Sequence, residues 1–247
     1  MANWSDPRTG LNTGTAGFGA ARNAAPAATY DAGLRSYMLS VYNYMASGVL
    51  LTGIVAMLFA SWSGMPAVLT SPLRWVIMLA PLAFVMALSF GINRMKTSTA
   101  QAIYWAFAVV MGLSLSSIFL VFTGTSIAAT FFATAAAFAG LSLYGYTTKR
   151  DLSGFGTFLI MGVVGILVAS LINLFVQSSA LQLAISIIGV LLFAGLTAYD
   201  TQKIKSIYFQ VQGTDFMGKS VILGALSLYL DFVNMFTFLL QLVGDRR

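Results

Sequence analysis

The sequence predicts an all-α membrane protein, a bundle of seven transmembrane helices, and three observations carry that expectation. Of its 247 residues 58% are hydrophobic and only 8% charged, which leaves too little polar surface for a soluble globule. From Ser36 onward the apolar residues come in successive runs, each near the ~20 residues that a helix needs to span hydrocarbon. The runs are continuously apolar, whereas the strands of a membrane barrel alternate and are about half as long.

Taken in order, residues 1–34 are rich in Gly, Ala, Thr and Asn, lack an apolar core, and read as a flexible cytoplasmic tail. They show no basic start followed by an apolar run, as a secretory signal would, and Asp6 and Asp31 argue against a transit peptide. The transmembrane domain then occupies residues 35–247, with helices expected over 36–60, 73–93, 100–122, 126–147, 155–176, 181–200 and 219–243. Turn chemistry separates them: "SWSGMPAVLTSP" after the first, "TGTS" after the third, "KRDLSG" after the fourth and "VQGTDFMG" before the last. No convincing internal repeat is visible, so an inverted-repeat transporter is not supported.

Charge sets the expected orientation. Thirteen Lys and Arg against seven Asp, with no Glu, give a net charge of +6, a basic excess of the size that cytoplasmic loops supply and too small to suggest nucleic acid. Arg94 and Lys96, Lys149 and Arg150, and Lys203, Lys205 and Lys219 fall on one side together with Arg8, Arg22 and Arg35. Arg74, Arg246 and Arg247 fall on the other. The amino terminus is therefore expected in the cytoplasm and, after seven crossings, the carboxyl terminus outside; a seventh helix that re-entered would instead return "DRR" to the cytoplasm.

The chain has no Cys and no His, which removes disulfides, thiol catalysis, Ser/His dyads and imidazole metal sites. Proton chemistry must then run on Asp, Tyr, Lys or Arg. Asp231, in "ALSLYLDFVNMFTFLL", lies within an apolar run, where a carboxylate at helix centre costs roughly 2.5 to 3.5 kcal/mol on insertion scales. Ser227 one turn before it and Asn234 one turn after share its face. Asp200, in "GLTAYDTQKIK", is expected at the C-terminal end of the sixth helix, where the helix dipole disfavours a carboxylate and Lys203 one turn on offers a surface ion pair. Asp151, in "KRDLSG", fits an ordinary helix N-terminal carboxylate and is assigned to structure.

Two carboxylates brought together in an apolar setting can share a proton, which makes a pH switch without histidine. Ionised, Asp200 and Asp231 would offer hard oxygen ligands to Ca²⁺. Arg94, in "FGINRMKTS" at the same membrane edge as Asp200, is the best placed neutralising cation, and an ordinary loop charge is an equally good reading of it.

The blocks "AYDTQKIK" and "ALSLYLDFVNMFTFLL", preceded by "KRDLSGFGTFLIMG", resemble the signature of the Bax inhibitor-1 family of transmembrane proteins in its bacterial branch, over roughly Ser36 to Val243. The resemblance implies a seven-helix bundle with the last helix central, in the bacterial cytoplasmic (inner) membrane, forming a pH-sensitive calcium leak. It implies that Asp200 and Asp231 are the proton-sensing pair, which are also the residues that would meet Ca²⁺. Through "NRMKTSTAQAIYWAFA" it implies that Arg94 is a latch to Asp200. It implies that no cofactor is required and that Ca²⁺ and protons are the ions handled. Bacterial relatives are associated with a membrane-anchored ATP-dependent protease, so a non-conducting regulator of such a protease is the competing expectation. The small-residue stretch "FFATAAAFAGLSLYG" offers it a close-packing face, though packing within the monomer explains that stretch equally well. An intramembrane aspartyl protease would also use two carboxylates sharing a proton, but "LYLD" lacks the Gly-x-Gly-Asp pattern such enzymes carry.

Overall fold

The computed structural model of the protein describes residues 19–247, with side chains from residue 32 onward. It divides into two units, residues 1–36 and 37–247. The described part of the first is the amino-terminal stretch of helix α1, Gly19–Ser61. Helix therefore begins at Gly19 where the sequence reading placed a flexible tail, in keeping with the helix propensity of an Ala-rich stretch; residues 1–18 of that expected tail lie outside the described residues.

The second unit carries the remaining helices among the described residues: α2 Met65–Thr70, α3 Leu73–Gly91, α4 Thr97–Leu115, α5 Ile118–Val121, α6 Gly124–Thr147, α7 Ser153–Val176, α8 Ser179–Val211 and α9 Met217–Val243. Seven stretches are long and apolar enough to cross a membrane, α4 and α5 counting as one from Thr97 to Val121. The expected third helix is thus interrupted at Ser116 and Ser117, where each hydroxyl bonds a carbonyl three residues back, Ser116 Oγ to Leu113 O at 2.6 Å and Ser117 Oγ to Ser114 O at 3.3 Å. Helix starts follow local capping chemistry: Thr123 Oγ1 accepts from the Ser126 N–H before α6, and Ser178 Oγ from the Leu181 N–H before α8.

Burial ranks the helices. In α9 the most apolar window is 61% buried, against 11% in α3 and 17% in α7. The latter two present Trp75, Phe90, Phe158 and Phe175 outward, the pattern of helices whose solvent is lipid. α9 packs against α3, α4, α6 and α8, with α8 its most extensive partner, so the last helix is central as the resemblance implied.

The sixth span departs from expectation. α8 continues eleven residues beyond Asp200 to Val211, so Asp200 lies inside a helix and the macrodipole penalty expected of a C-terminal position does not apply to it. The extension is amphipathic: Ile204 and Tyr208 are buried while Lys203 is exposed, and Ile204 packs directly on Gly224 of α9. At 33 residues α8 is about 50 Å long, well beyond the ~30 Å of hydrocarbon, so its end projects past the apolar layer.

α9 runs the full thickness. Its carboxyl-terminal residues pair with the α5–α6 connection: Arg247 N–H with Val121 O at 3.0 Å, Thr123 N–H with Asp245 O at 3.0 Å, and Asp245 N–H with Ser126 Oγ at 2.9 Å. That connection stands at the opposite end from the α3–α4 turn holding Arg94. A seventh crossing, rather than a re-entrant helix, follows.

Candidate functional site: a carboxylate pair between the last two spans

α6, α8 and α9 meet along a seam whose side chains repeat every three to four residues. On α6 the buried positions are Ser126, Thr130, Thr134, Phe138, Ser142 and Gly145; on α8 they include Ser186, Phe193, Thr197 and Thr201. Most hydroxyls in the seam bond the carbonyl one turn back: Thr134 to Thr130 O, Thr197 to Phe193 O and Thr201 to Thr197 O, all at 2.8 Å. This satisfies them without another helix. Across the seam Ser142 Oγ meets Thr201 Oγ1 at 3.0 Å and Tyr42 Oη of α1 at 2.5 Å. Thr201 gives its only proton to Thr197 O, so Ser142 donates to Thr201 and Tyr42 to Ser142.

Two backbones touch beside this chain. A Cβ on Gly145 would collide with the Ala198 carbonyl, so α6 and α8 cross at a point only glycine permits, two residues before Asp200. The stretch "FFATAAAFAGLSLYG" is therefore used inside the protomer.

Asp231 lies in this interior, 4% exposed, and its Oδ2 has no hydrogen-bond partner among the described residues. Its charged neighbour is Asp200, across the α8–α9 interface. The two residues differ in surroundings: Asp200 is half-buried and Lys203 acts on it electrostatically, with the ammonium 5.9 Å above the Tyr199 ring, while Asp231 is enclosed.

The other sequence candidates separate. Asn234 donates one amide N–H to Leu230 O of its own helix at 2.8 Å. Ser227 is half-buried one turn from Asp231. Arg94 is exposed in the turn after α3 with its N–H on Gly91 O, and among the described residues no ion pair joins it to Asp200. Asp151 receives the Ser153 N–H at 2.9 Å, and the Ser153 hydroxyl and backbone N–H hold its carboxyl below the usual carboxylate range, in keeping with its structural assignment. Among the described residues no three Asp, Glu, His or Cys side chains gather. Asp200 and Asp231 alone could therefore touch Ca²⁺ but not enclose it, since that ion takes six to eight oxygens.

Sequence reasoning missed two sets of residues. Gln202 clamps the α6–α7 loop, accepting the Leu152 N–H and donating to Arg150 O, both at 2.8 Å; Lys205 donates to Tyr146 O at 2.9 Å. These lie within five residues of Asp200, so the loop is tied to its helix. On the opposite face of α9, Thr52 donates to Ala108 O at 2.8 Å and lies 2.7 Å from Tyr229 Oη, which must then donate to it. Tyr104 donates to Tyr44 O at 2.8 Å, reaching it past Gly48, where a Cβ would strike the Tyr104 hydroxyl. The only sequence signal for this second cluster was a Tyr two residues before Asp231.

Comparison with known proteins agrees with this architecture. A family model described as Inhibitor of apoptosis-promoting Bax1 matches residues 34–247. A Rickettsia prowazekii protein is 47% identical over 221 residues, covering 89% of this chain and 93% of its own. The Escherichia coli K12 protein called inner membrane protein YbhL is 46% identical over 220 residues, covering 87% and 94%. A Caulobacter vibrioides protein is 47% identical over 229 residues, covering 88% and 91%.

Proposed function

The chain belongs to the Bax1-inhibitor family of membrane proteins, and from that premise we propose that it is a pH-sensitive calcium leak channel of the bacterial inner membrane, gated by the protonation of Asp200 and Asp231. The observation that carries this reading is the enclosed Asp231 carboxylate with an unpartnered oxygen and a second carboxylate, Asp200, as its charged neighbour. A buried polar group left unsatisfied is expensive, and intramembrane carboxylates are kept where they bind or move ions. With a proton shared, the α8–α9 interface holds one negative charge. With the proton gone, two like charges face each other and the helices part unless a cation joins them.

Ca²⁺ is the cargo in this scheme, meeting the two carboxylates with backbone carbonyls and seam hydroxyls such as Thr197 and Thr201 supplying further oxygens. Arg94 is the alternative cation for Asp200 in a second packing of α3 and α8, the latch state. The positive-inside rule puts Arg94, Lys149, Arg150, Lys203 and the amino terminus in the cytoplasm and the α9 carboxyl end outside. No catalytic step is assigned to the pair.

The test is flux into liposomes loaded with a calcium dye. Wild-type protein is expected to give a calcium leak whose size changes with pH, and Asp200→Asn and Asp231→Asn to flatten that dependence. Arg94→Gln should alter the leak on the side of the pH range where Asp200 is ionised. Identical pH profiles in wild type and both Asp variants would overturn the reading.

A further inference from the structure

At the end of the bundle that carries the carboxyl terminus, a cavity of about 370 Å³ opens between the last turn of α7, the first turns of α8 and the end of α9. Asn173, Gln177, Gln182, Ser186, Gln241 and Arg246 line it, and no acidic side chain does. Asp245, next to Arg246, is not among the lining residues; its backbone is held by Thr123 and Ser126.

A backbone group decides which way the amides point. The Ser178 N–H can only donate, and it bonds Asn173 Oδ1 at 3.0 Å. Asn173 Nδ2 must then donate to Gln182 Oε1, at 3.1 Å, which leaves Gln182 Nε2 to donate to Gln241 Oε1 at 2.7 Å. Ser186 Oγ lies 3.4 Å from the same Gln241 oxygen. The chain consumes every side-chain carbonyl along it and ends on Gln241 Nε2, whose N–H groups have no protein acceptor among the described residues. Arg246 lines the same space, and its guanidinium has no bonded acceptor among the described residues. Gln177 also lines the space with an amide that has no side-chain partner among the described residues and can turn its NH2 inward, so the cavity offers donors, one positive charge and no carboxylate.

We propose that this cavity binds a phosphate group, carried by an anionic lipid headgroup or free in solution, through the Gln241 amide N–H groups and the Arg246 guanidinium. Such a ligand supplies acceptors and opposite charge, which suit the Gln241 donors and the Arg246 cation in a cavity lined by no carboxylate. The first turn of α8 adds the partial positive charge of a long helix. The exposed Leu174, Phe175 and Val176 beside the cavity place it where hydrocarbon gives way to headgroups, within reach of a lipid phosphate. The proposal does not depend on calcium conduction.

The experiment is native mass spectrometry of the full-length protein in neutral detergent, titrated with phosphatidylglycerol, with phosphatidylcholine and with inorganic phosphate. Wild type is expected to retain phosphatidylglycerol in preference to phosphatidylcholine. Arg246→Gln should reduce that preference roughly tenfold, as loss of one charge-assisted pair implies. Gln241→Glu, which keeps the acceptor for Gln182 but removes the donors, should abolish it. Arg74→Gln removes the same charge outside the cavity and should leave it intact. Displacement of the lipid by millimolar inorganic phosphate would identify the free anion as ligand; retention would identify the headgroup. The proposal is overturned if Arg246→Gln and Gln241→Glu bind as wild type does, if Arg74→Gln weakens binding as much as Arg246→Gln, or if wild type neither discriminates between the lipids nor binds phosphate.

Discussion

α9 carries polar groups on two faces, and they are treated in opposite ways. Toward α1 and α4, Tyr229 donates to Thr52 and Thr52 to Ala108 O, a chain that ends on a backbone carbonyl. Tyr229 packs there in edge-to-face geometry with Phe107 and Tyr104, ring centres 5.0 and 6.5 Å away. Toward α8, Asp231 is as deeply buried, yet one oxygen has no partner and its charged neighbour is another carboxylate. A satisfied network holds helices in one arrangement, whereas an unsatisfied acid is stable only while its protonation or an ion compensates it. On the proposed reading the first face is built to stay and the second to change.

The comparison can be broken by substitutions read as thermal unfolding in detergent. The largest effect is expected from Gly145→Val, which drives a branched side chain into the Ala198 carbonyl and should cost about 3 kcal/mol or prevent folding. Thr52→Val comes next. It leaves the Tyr229 hydroxyl buried without an acceptor and should destabilise by about 1 to 2 kcal/mol while leaving the pH dependence of calcium leak unchanged. Asp231→Leu should do the reverse, raising stability by about 1 kcal/mol and removing the pH dependence, because an apolar side chain of similar size replaces an unsatisfied acid. If Asp231→Leu unfolds the protein and Thr52→Val does not, the roles of the two faces are exchanged.

The smallest effect belongs to Asp151, outside the membrane and fully accessible. Its carboxyl is depressed in the folded state by the Ser153 hydroxyl and N–H. Its contribution is therefore complete above the ordinary carboxylate pKa and disappears as pH falls through the lower folded value. Asp151→Asn should lower the unfolding temperature slightly at neutral pH and not at all in strong acid, and added salt should shrink the difference.

The spans and the buried Asp231 were legible because lipid imposes simple demands: length and apolarity for helices, and a reason for every buried charge. Residues whose role depends on another helix were not. Nothing in "GLTAYDTQKIK" announced that the polar stretch continues as helix, since that is decided by Ile204 and Tyr208 finding α9 and neighbouring helices to cover them. Thr52 and Ser142 are ordinary hydroxyls in apolar runs, and only the packing reveals that Thr52 receives Tyr229 and Ser142 receives Tyr42. Arg94 marks the same boundary from the other side. Its charge and its end of the membrane could be read from sequence, but its pairing depends on helix packing, and in this structure the cation acting on Asp200 is Lys203.

The central claim, that the Asp200 and Asp231 pair is a protonation switch, is tested most directly by infrared difference spectroscopy of the protein in lipid vesicles during a pH titration. A protonated-carboxyl band should change over the same pH range as the calcium leak and vanish in Asp231→Asn. A leak that changes with pH while that band stays constant, or a band that persists unaltered in Asp231→Asn, would contradict it.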